Sequence, residues 1–479
     1  RDDVESRGLG DVYKRQGKYV NIIISIIVIL WIGILVFKRY KAQAVLFIGG
    51  MVLLALAYLM GYGTILGAKQ QTGNFIFDIY ELIRILFSER AAKLGLNIMA
   101  VAGFARYMDH IGASRALVTL TIKPLKKLKS PYIVLSACWV VGMIIGLAIN
   151  SASGLAMLLM VTMYPVLIAL GVSKLSATAA IATTLCLDWS PSDTGTIFAA
   201  ELAGVDPVTY WHSFQVPVAL WVFPVVAVLH YLTQKYMDKR DGHIVESQDV
   251  VVHEEKMTNE DLRKAEAPLY YAILPVIPLA LILSFSSLWI SWIKMNIIMA
   301  MLIGTTIGMI FQYFRTFDGK STLADLQVYF DGMGRQMANV VSLIVAGELF
   351  AKGLMAIGTI DALINWAKTS GFGGIGITLV MVSIIGISSI VMGSGNAPFF
   401  AFANLVPSIA ASTGVSAVLM ILPMHFIASA FRAISPITAV IVVASGMAGI
   451  SPFDLVKRTA IPMIGAGITL VVANFVMFL

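Results

Sequence analysis

DWSPSDTG, residues 188–195, cuts an apolar run that otherwise extends from about 175 to 203. A proline inside a spanning helix removes one N–H and frees a carbonyl one turn earlier. Membrane-depth backbone of that kind is tolerated only where protein buries it or where it lines a cavity. The same device recurs as RAISPIT, residues 432–438, inside the run 416–447. Pro191, Pro207 and Pro217 map onto Pro436, Pro452 and Pro462 by one step of 245 residues (436−191, 452−207, 462−217). Gly171-Val172-Ser173 likewise matches Gly414-Val415-Ser416, Ala102-Gly103 matches Ala346-Gly347, and Ile111-Gly112 matches Ile357-Gly358. An ordered series of this kind marks an internal repeat.

Working outward, apolar runs of near-spanning length fall at about 19–37, 43–66, 92–108, 175–203 and 210–232, and again at 270–289, 292–313, 337–355, 416–447 and 458–479. Five crossings per half is odd, so the second half enters the bilayer upside down relative to the first. Each half adds a pair of shorter arms broken at a polar tip, 132–149 with 155–170 and 374–392 with 397–411. These are at the lower limit for crossing and are read as re-entrant hairpins. Short amphipathic stretches near 75–90 and 322–335 are read as helices lying along the membrane surface. The predicted fold is an all-α polytopic membrane protein of two inverted repeats, 17–232 and 268–479, joined by a charged linker at 233–267. Residues 1–16 are set aside as a non-native tail.

Composition agrees. The chain is 58% hydrophobic and 13% charged, with a mean hydropathy of +0.85, against about 25% charged in soluble domains. Its net charge of +7 sits in short loops, which points to membrane orientation and away from nucleic acid. Lys38, Arg39, Lys41, Arg115, Lys123, Lys126, Lys127, Lys129, the linker cations, Arg315, Lys320, Arg335, Lys457 and Arg458 collect on one side. That side is predicted to be cytoplasmic, with both termini facing out. Cys138 and Cys186 lie in apolar runs and offer neither a disulfide framework nor a metal site.

Four polar words carry the candidate chemistry. The hairpin tips read Asn150-Ser151-Ala152-Ser153-Gly154 and Gly393-Ser394-Gly395-Asn396-Ala397-Pro398; the breaks contribute Ser190, Ser192, Thr194, Ser435 and Thr438. A helix leaving such a tip presents N–H groups and a positive dipole end suited to a carboxylate. One tip and one break per half would give two half-sites facing each other, matching a guest with two anionic ends. Small polar residues also serve close helix packing, which stands as the plain alternative for each alone. Arg432 lies mid-span, where a lone guanidinium costs at least ~2.5–3.5 kcal/mol. It is either a countercharge for substrate or the partner of a membrane acid such as Asp188 or Glu348. Asp188 and Asp193 carry a coupling proton or satisfy backbone N–H groups. Glu201, Glu348 and Asp361 are expected near the boundary and solvated, and His425 in helix packing.

These words resemble the DcuC family of anaerobic C4-dicarboxylate carriers, within the broader ion-transporter superfamily. The resemblance extends over nearly the whole chain from about residue 19. It is most specific at GSGNAPFFAF (393–402) and GMAGISPFDLVKRTAIP (446–462), with SASGLAMLLM (151–160) and PYIVL (131–135) in support. It implies carriage of succinate, fumarate or malate across a bacterial inner membrane, usually as succinate efflux, by a homodimer with an elevator-type mechanism. By position it places the family's tip word on Ser394, Gly395 and Asn396 and its arginine on Arg432. The first break departs from the family pattern in its polar and acidic residues. No cofactor is expected, with sodium ion or proton left open as the co-transported ion.

Two other classes compete. A channel would lack the tip-and-break pairing. A membrane enzyme would need a catalytic constellation, yet the sequence holds no HExxH, GxSxG or P-loop motif. Within carriers, another carboxylate or an amino acid is the competing cargo.

Overall fold

The computed structural model describes residues 40–62, 64–127, 130–243, 267–286, 288–359 and 373–479, together with 27, 28, 31, 32, 34, 35 and 38. The tail, most of the run 19–37, Asp361 and residues 244–266 of the charged stretch lie outside these. Every regular element among the described residues is helical. Among the described residues, six helices are long and apolar enough to cross a membrane: Ala42–Leu59, Pro207–Arg240, Ile297–Thr316, Gly319–Ala356, Gly373–Met392 and Pro452–Phe478.

Both pairs of arms are helical, and one arm, Gly373–Met392, is itself of spanning length. The first has arms Pro131–Ile145 and Ala152–Thr162, the second continuing as Tyr164–Ala169. The second has Gly373–Met392 followed by Asn396–Phe402 and Val406–Thr413. Both broken helices form as well, Lys174–Ala182 with Thr194–Ala203, and Ala417–Arg432 with Ala439–Ala448. The pieces interleave across the halves. Ala439–Ala448 packs on Ala152–Thr162, and Thr194–Ala203 packs on Ala417–Arg432. Phe198 meets Phe399 and Phe400 edge-on. The long helices Pro207–Arg240 and Pro452–Phe478 pack on each other and brace these pieces. A second group is formed by Ala42–Leu59 against Ser342–Ala356 and by Leu96–His110 against Gly319–Gln336 and Ile297–Thr316.

Three sequence expectations need correction. The amphipathic stretches are not separate short helices: Phe75–Arg90 passes through one π-helical turn, Ala91–Gly95, straight into Leu96–His110, and Gly319–Gln336 does the same through Met337–Val341. A wide turn re-phases the side chains without breaking the hydrogen-bonded backbone, so the amphipathic and apolar segments join into one rod. The run 43–66 ends early, at Leu59, because Gly61 takes a left-handed φ of 77° that a helix cannot continue.

The charged stretch is helical for its first eight residues, so the linker does not begin at 233. The helix runs on to Arg240 with Thr233, Gln234, Met237 and Asp238 buried. Its cause is Arg458, counted above as a loop cation but only 2% exposed. Arg458 Nη1 donates to Asp238 Oδ1 at 2.7 Å and to Ser176 Oγ at 3.0 Å, and Nη2 donates to Asp241 Oδ2 at 2.7 Å. Asp238 in turn accepts from Ser173 Oγ, Ser176 Oγ and Tyr132 Oη. Buried charges persist when paired and fully hydrogen-bonded, and this network fixes the helix end. Hydrogen bonds from Arg240, with the nearby charge and hydrogen bond of Arg458, hold the Asp241 carboxyl below its ordinary value.

Candidate functional site

The first break begins where Lys174–Ala182 ends. Its side chains first satisfy the carbonyls that the hairpin arm Pro131–Ile145 leaves open at its own end. Trp189 Nε1 donates to Met143 O at 3.0 Å and Ser190 Oγ to Leu147 O at 2.8 Å. Ser192 sits 3.0 Å from Ser190 Oγ and accepts from Asn150 Nδ2 at 3.0 Å. The first tip thus rests on the break of its own half. Ser151 caps the following helix by accepting from Gly154 N at 3.2 Å. Asn150 Oδ1 is buried with no partner.

The second tip behaves alike. Gly393, at φ 63°, lies against Ile437 and Thr438, and Ser394 Oγ accepts from Ala397 N at 3.4 Å. At Gly395 a Cβ would stand 2.6 Å from Ala428 O on the second broken helix, so only glycine allows this approach. Overpacking at such a contact costs about 1–3 kcal/mol. Gly395→Ala is therefore expected to lower the apparent unfolding midpoint in detergent; an unchanged midpoint would show that the tip need not seat on Ala428. Thr438 Oγ1 donates to Arg432 O at 2.5 Å, while Ser435 Oγ is buried without a partner.

The two breaks meet at one ion pair. Arg432 Nη2 donates to Asp188 Oδ1 at 2.8 Å and to Leu185 O at 2.9 Å, and Ser429 Oγ donates to Asp188 Oδ2 at 2.6 Å. Both side chains are mostly buried, 14% and 12% exposed. Among the described residues, Nη2 is the nitrogen of Arg432 that is engaged, which leaves Nη1 and Nε for another acceptor. Asp193 caps Thr194–Ala203, its Oδ2 accepting from Gly195 N and Thr196 N. Gln215 joins Thr196 to His425, and Gln336 Nε2 lies 3.4 Å from Thr194 Oγ1. Ligand atoms of Asp188, Asp193 and His425 all lie within 4.8 Å of one another. That spacing suits a cation; Asp188 Oδ1 and Oδ2 each already accept one side-chain hydrogen bond.

The site residues named from sequence divide accordingly. Asn150, Ser190 and Ser192 form one cluster; Asp188 and Arg432 join the breaks; Ser394, Gly395 and Thr438 lie along the second broken helix. Among the described residues, the two tips line different voids. Ser394 lines an open cavity of about 420 Å³ with Tyr40, Gln43, Asn339, Leu343 and Ile437. Asn150 and Ser192 line a separate void of about 10 Å³ with Val101, Phe104 and Pro278. Ser153 and Asn396 are half-buried. Glu348 is not a solvated boundary residue, since Arg90 binds it at 2.5 Å and also pairs with Glu201. Sequence reasoning missed Ser429, Gln215 and Thr196. The one available signal was position, one turn before Arg432 for Ser429 and one polar amide just before an apolar run for Gln215.

Comparison with known proteins bears on this arrangement. A family model described as DcuC, C4-dicarboxylate anaerobic carrier, matches residues 20–479. A Vibrio cholerae protein described as a probable anaerobic C4-dicarboxylate transporter DcuC is 35% identical over 459 residues, covering 96% of this chain and 98% of its own. The anaerobic C4-dicarboxylate transporter DcuC of Escherichia coli is 34% identical, covering 96% and 97%. Among solved structures, the Alcanivorax borkumensis YdaH transporter superposes with a TM-score of 0.55 at 14% identity, over 90% of this chain and 97% of that one, a likeness of fold.

Proposed function

Because the chain belongs to the DcuC family of C4-dicarboxylate carriers, we propose that it moves succinate, fumarate or malate across a bacterial inner membrane as a secondary carrier. The observation that carries the reading at the residue level is Arg432, buried between the two breaks with Nη1 and Nε unspent. A guanidinium in that state is suited to a carboxylate. The open cavity beside Ser394 falls in the 300–1,000 Å³ range of small-molecule sites, ~420 Å³ here. One substrate carboxylate is assigned to Ser394, Gly395, Asn396 and Arg432, with Ser435 and Thr438 beside them. Asn150, Ser151, Ser153, Gly154, Ser190, Ser192 and Thr194 form the matching half-site, engaged when the cavities exchange roles.

The mechanism is alternating access by two inverted repeats, 17–232 and 268–479. The recurring order of amphipathic rod, hairpin, broken helix and long helix supports the repeat. Asn396–Phe402 of the second hairpin packs on Ser342–Ala356, and we assign to that seam the sliding of a mobile part on a scaffold, in a homodimer. Loop charge supports a cytoplasmic linker and outward termini. Asp188 and Asp193 are assigned to coupling, to proton or sodium ion. The experiment is uptake of labelled succinate, fumarate, aspartate and citrate in proteoliposomes with sodium and proton gradients varied separately. Saturable exchange of succinate and fumarate is expected. Saturable uptake of aspartate or citrate alone would transfer the reading to another carboxylate carrier.

A further inference from the structure

Charge counting around the two breaks leaves a remainder. Asp188 and Asp193 bring two carboxylates and Arg432 one guanidinium, whose Nη2 pairs with Asp188 and leaves one carboxylate over. Among the described residues, the one basic side chain within 4.0 Å of Asp193 is His425, whose Nε2 lies 3.9 Å from Asp193 Oδ2. The N–H bonds from Gly195 and Thr196 soften the Asp193 charge but do not cancel it. An uncompensated charge at this depth is strongly unfavourable and is normally removed by taking up a counter-cation or a proton.

His425 supplies the second observation. It is 2% exposed, and its Nε2 has no hydrogen-bond partner. Gln215 Nε2 lies 3.3 Å from Nδ1 and also 3.3 Å from Asp188 O. A carbonyl accepts only from the amide nitrogen, so Nε2 of Gln215 faces three acceptors, Asp188 O, Thr196 Oγ1 at 3.0 Å and His425 Nδ1, with two hydrogens. When Nδ1 is the acceptor, the hydrogen of the neutral ring sits on Nε2, on the side of Asp193. Gly195 keeps that side open, because a Cβ there would overlap Nε2. Other charged groups around the ring are Asp188 from the first break and Arg432 from its own helix; the turn Trp211–Gln215 also carries His212, which is exposed. The ring stacks on Phe399, centroids 4.9 Å apart and planes 23° from parallel. Phe399 sits in Asn396–Phe402, the helix that leaves the second tip.

We propose that Asp193 and His425 together bind one co-transported proton, and that Phe399 passes their charge state to the second hairpin. A proton from water adds either to the Asp193 carboxylate beside a neutral ring or to the ring as imidazolium facing the carboxylate; in both cases a local charge of −1 becomes zero. An imidazole nitrogen titrates but is a poor ligand for sodium ion, so the proton is the ion assigned. A ring that becomes cationic is held more strongly by an aromatic face, which tightens the hairpin when the proton is present. This inference rests on the carrier reading above.

The test uses purified full-length protein in detergent, in weakly buffered, mildly alkaline solution where free succinate is a dianion. Wild type is expected to take up about one proton per succinate bound, as linkage between the two ligands requires, with no requirement for sodium. Asp193→Asn and His425→Gln are expected to bind with no proton uptake. Succinate binding without proton uptake by the wild type, or unchanged uptake in both variants, overturns the proposal, and the wild-type result decides even where a variant fails to fold. Failure of the wild type to bind any C4-dicarboxylate would instead overturn the carrier reading itself.

Discussion

Arg432→Ala is expected to lower dicarboxylate exchange in proteoliposomes by about 100-fold or more, which corresponds to about 2.7 kcal/mol or more. The same change strands Asp188, 12% exposed, with Ser429 as its remaining side-chain donor. Breaking a buried pair by removing one partner costs about 3–5 kcal/mol, so the single variant should also lose thermal stability. That confounds two roles, a substrate countercharge and a packing partner. The double variant Arg432→Ala with Asp188→Asn separates them, because it removes the stranded charge. Stability should then return while exchange does not. Recovery of exchange along with stability would reduce Arg432 to an ion-pair partner.

The second large effect concerns Arg458. Its two terminal nitrogens serve Asp238, Asp241 and Ser176, tying Pro452–Phe478 to the end of Pro207–Arg240 and to the start of the first broken helix. Arg458→Ala is expected to destabilise the protein by about 3–5 kcal/mol, seen as a marked fall in the apparent unfolding midpoint in detergent. Arg458→Lys should fall between, since an ammonium cannot fork to two carboxylates as a guanidinium does. Arg458→Met with Asp238→Asn should recover most of the loss. An unchanged midpoint in Arg458→Ala would mean that this network contributes little to holding the helices together.

What the sequence made legible, and what it did not, follows from the range of the forces involved. Hairpins and broken helices were readable because Pro191, Pro436 and the glycine-rich tips act on their own backbone, within a turn. The continuity of Phe75–His110 was not readable, since a π-helical turn leaves no proline or glycine to mark it. Arg458 looked like a loop cation because its partners are 217 to 282 positions away in the chain. Asp193 was readable as a group that satisfies backbone N–H, a local role. Its nearness to His425 depends on two halves packing together, and no local spacing reports that. Ser394 and Asn150 line different voids, and how far one packed group stands from another is something periodicity does not encode.

The Arg90 tie to Glu201 and Glu348 behaves with temperature unlike the apolar faces around it. Glu201 stands on the first broken helix and Glu348 on Ser342–Ala356, so parting those helices must return ionic groups to water. Hydration of such groups carries a strongly negative entropy and becomes less rewarding on warming. Heat therefore favours the closed tie at the same time as it quickens everything that loosens side-chain packing. A molecule so built would open this contact most cheaply in the cold, and its working rate would rise with warmth less steeply than its other motions suggest.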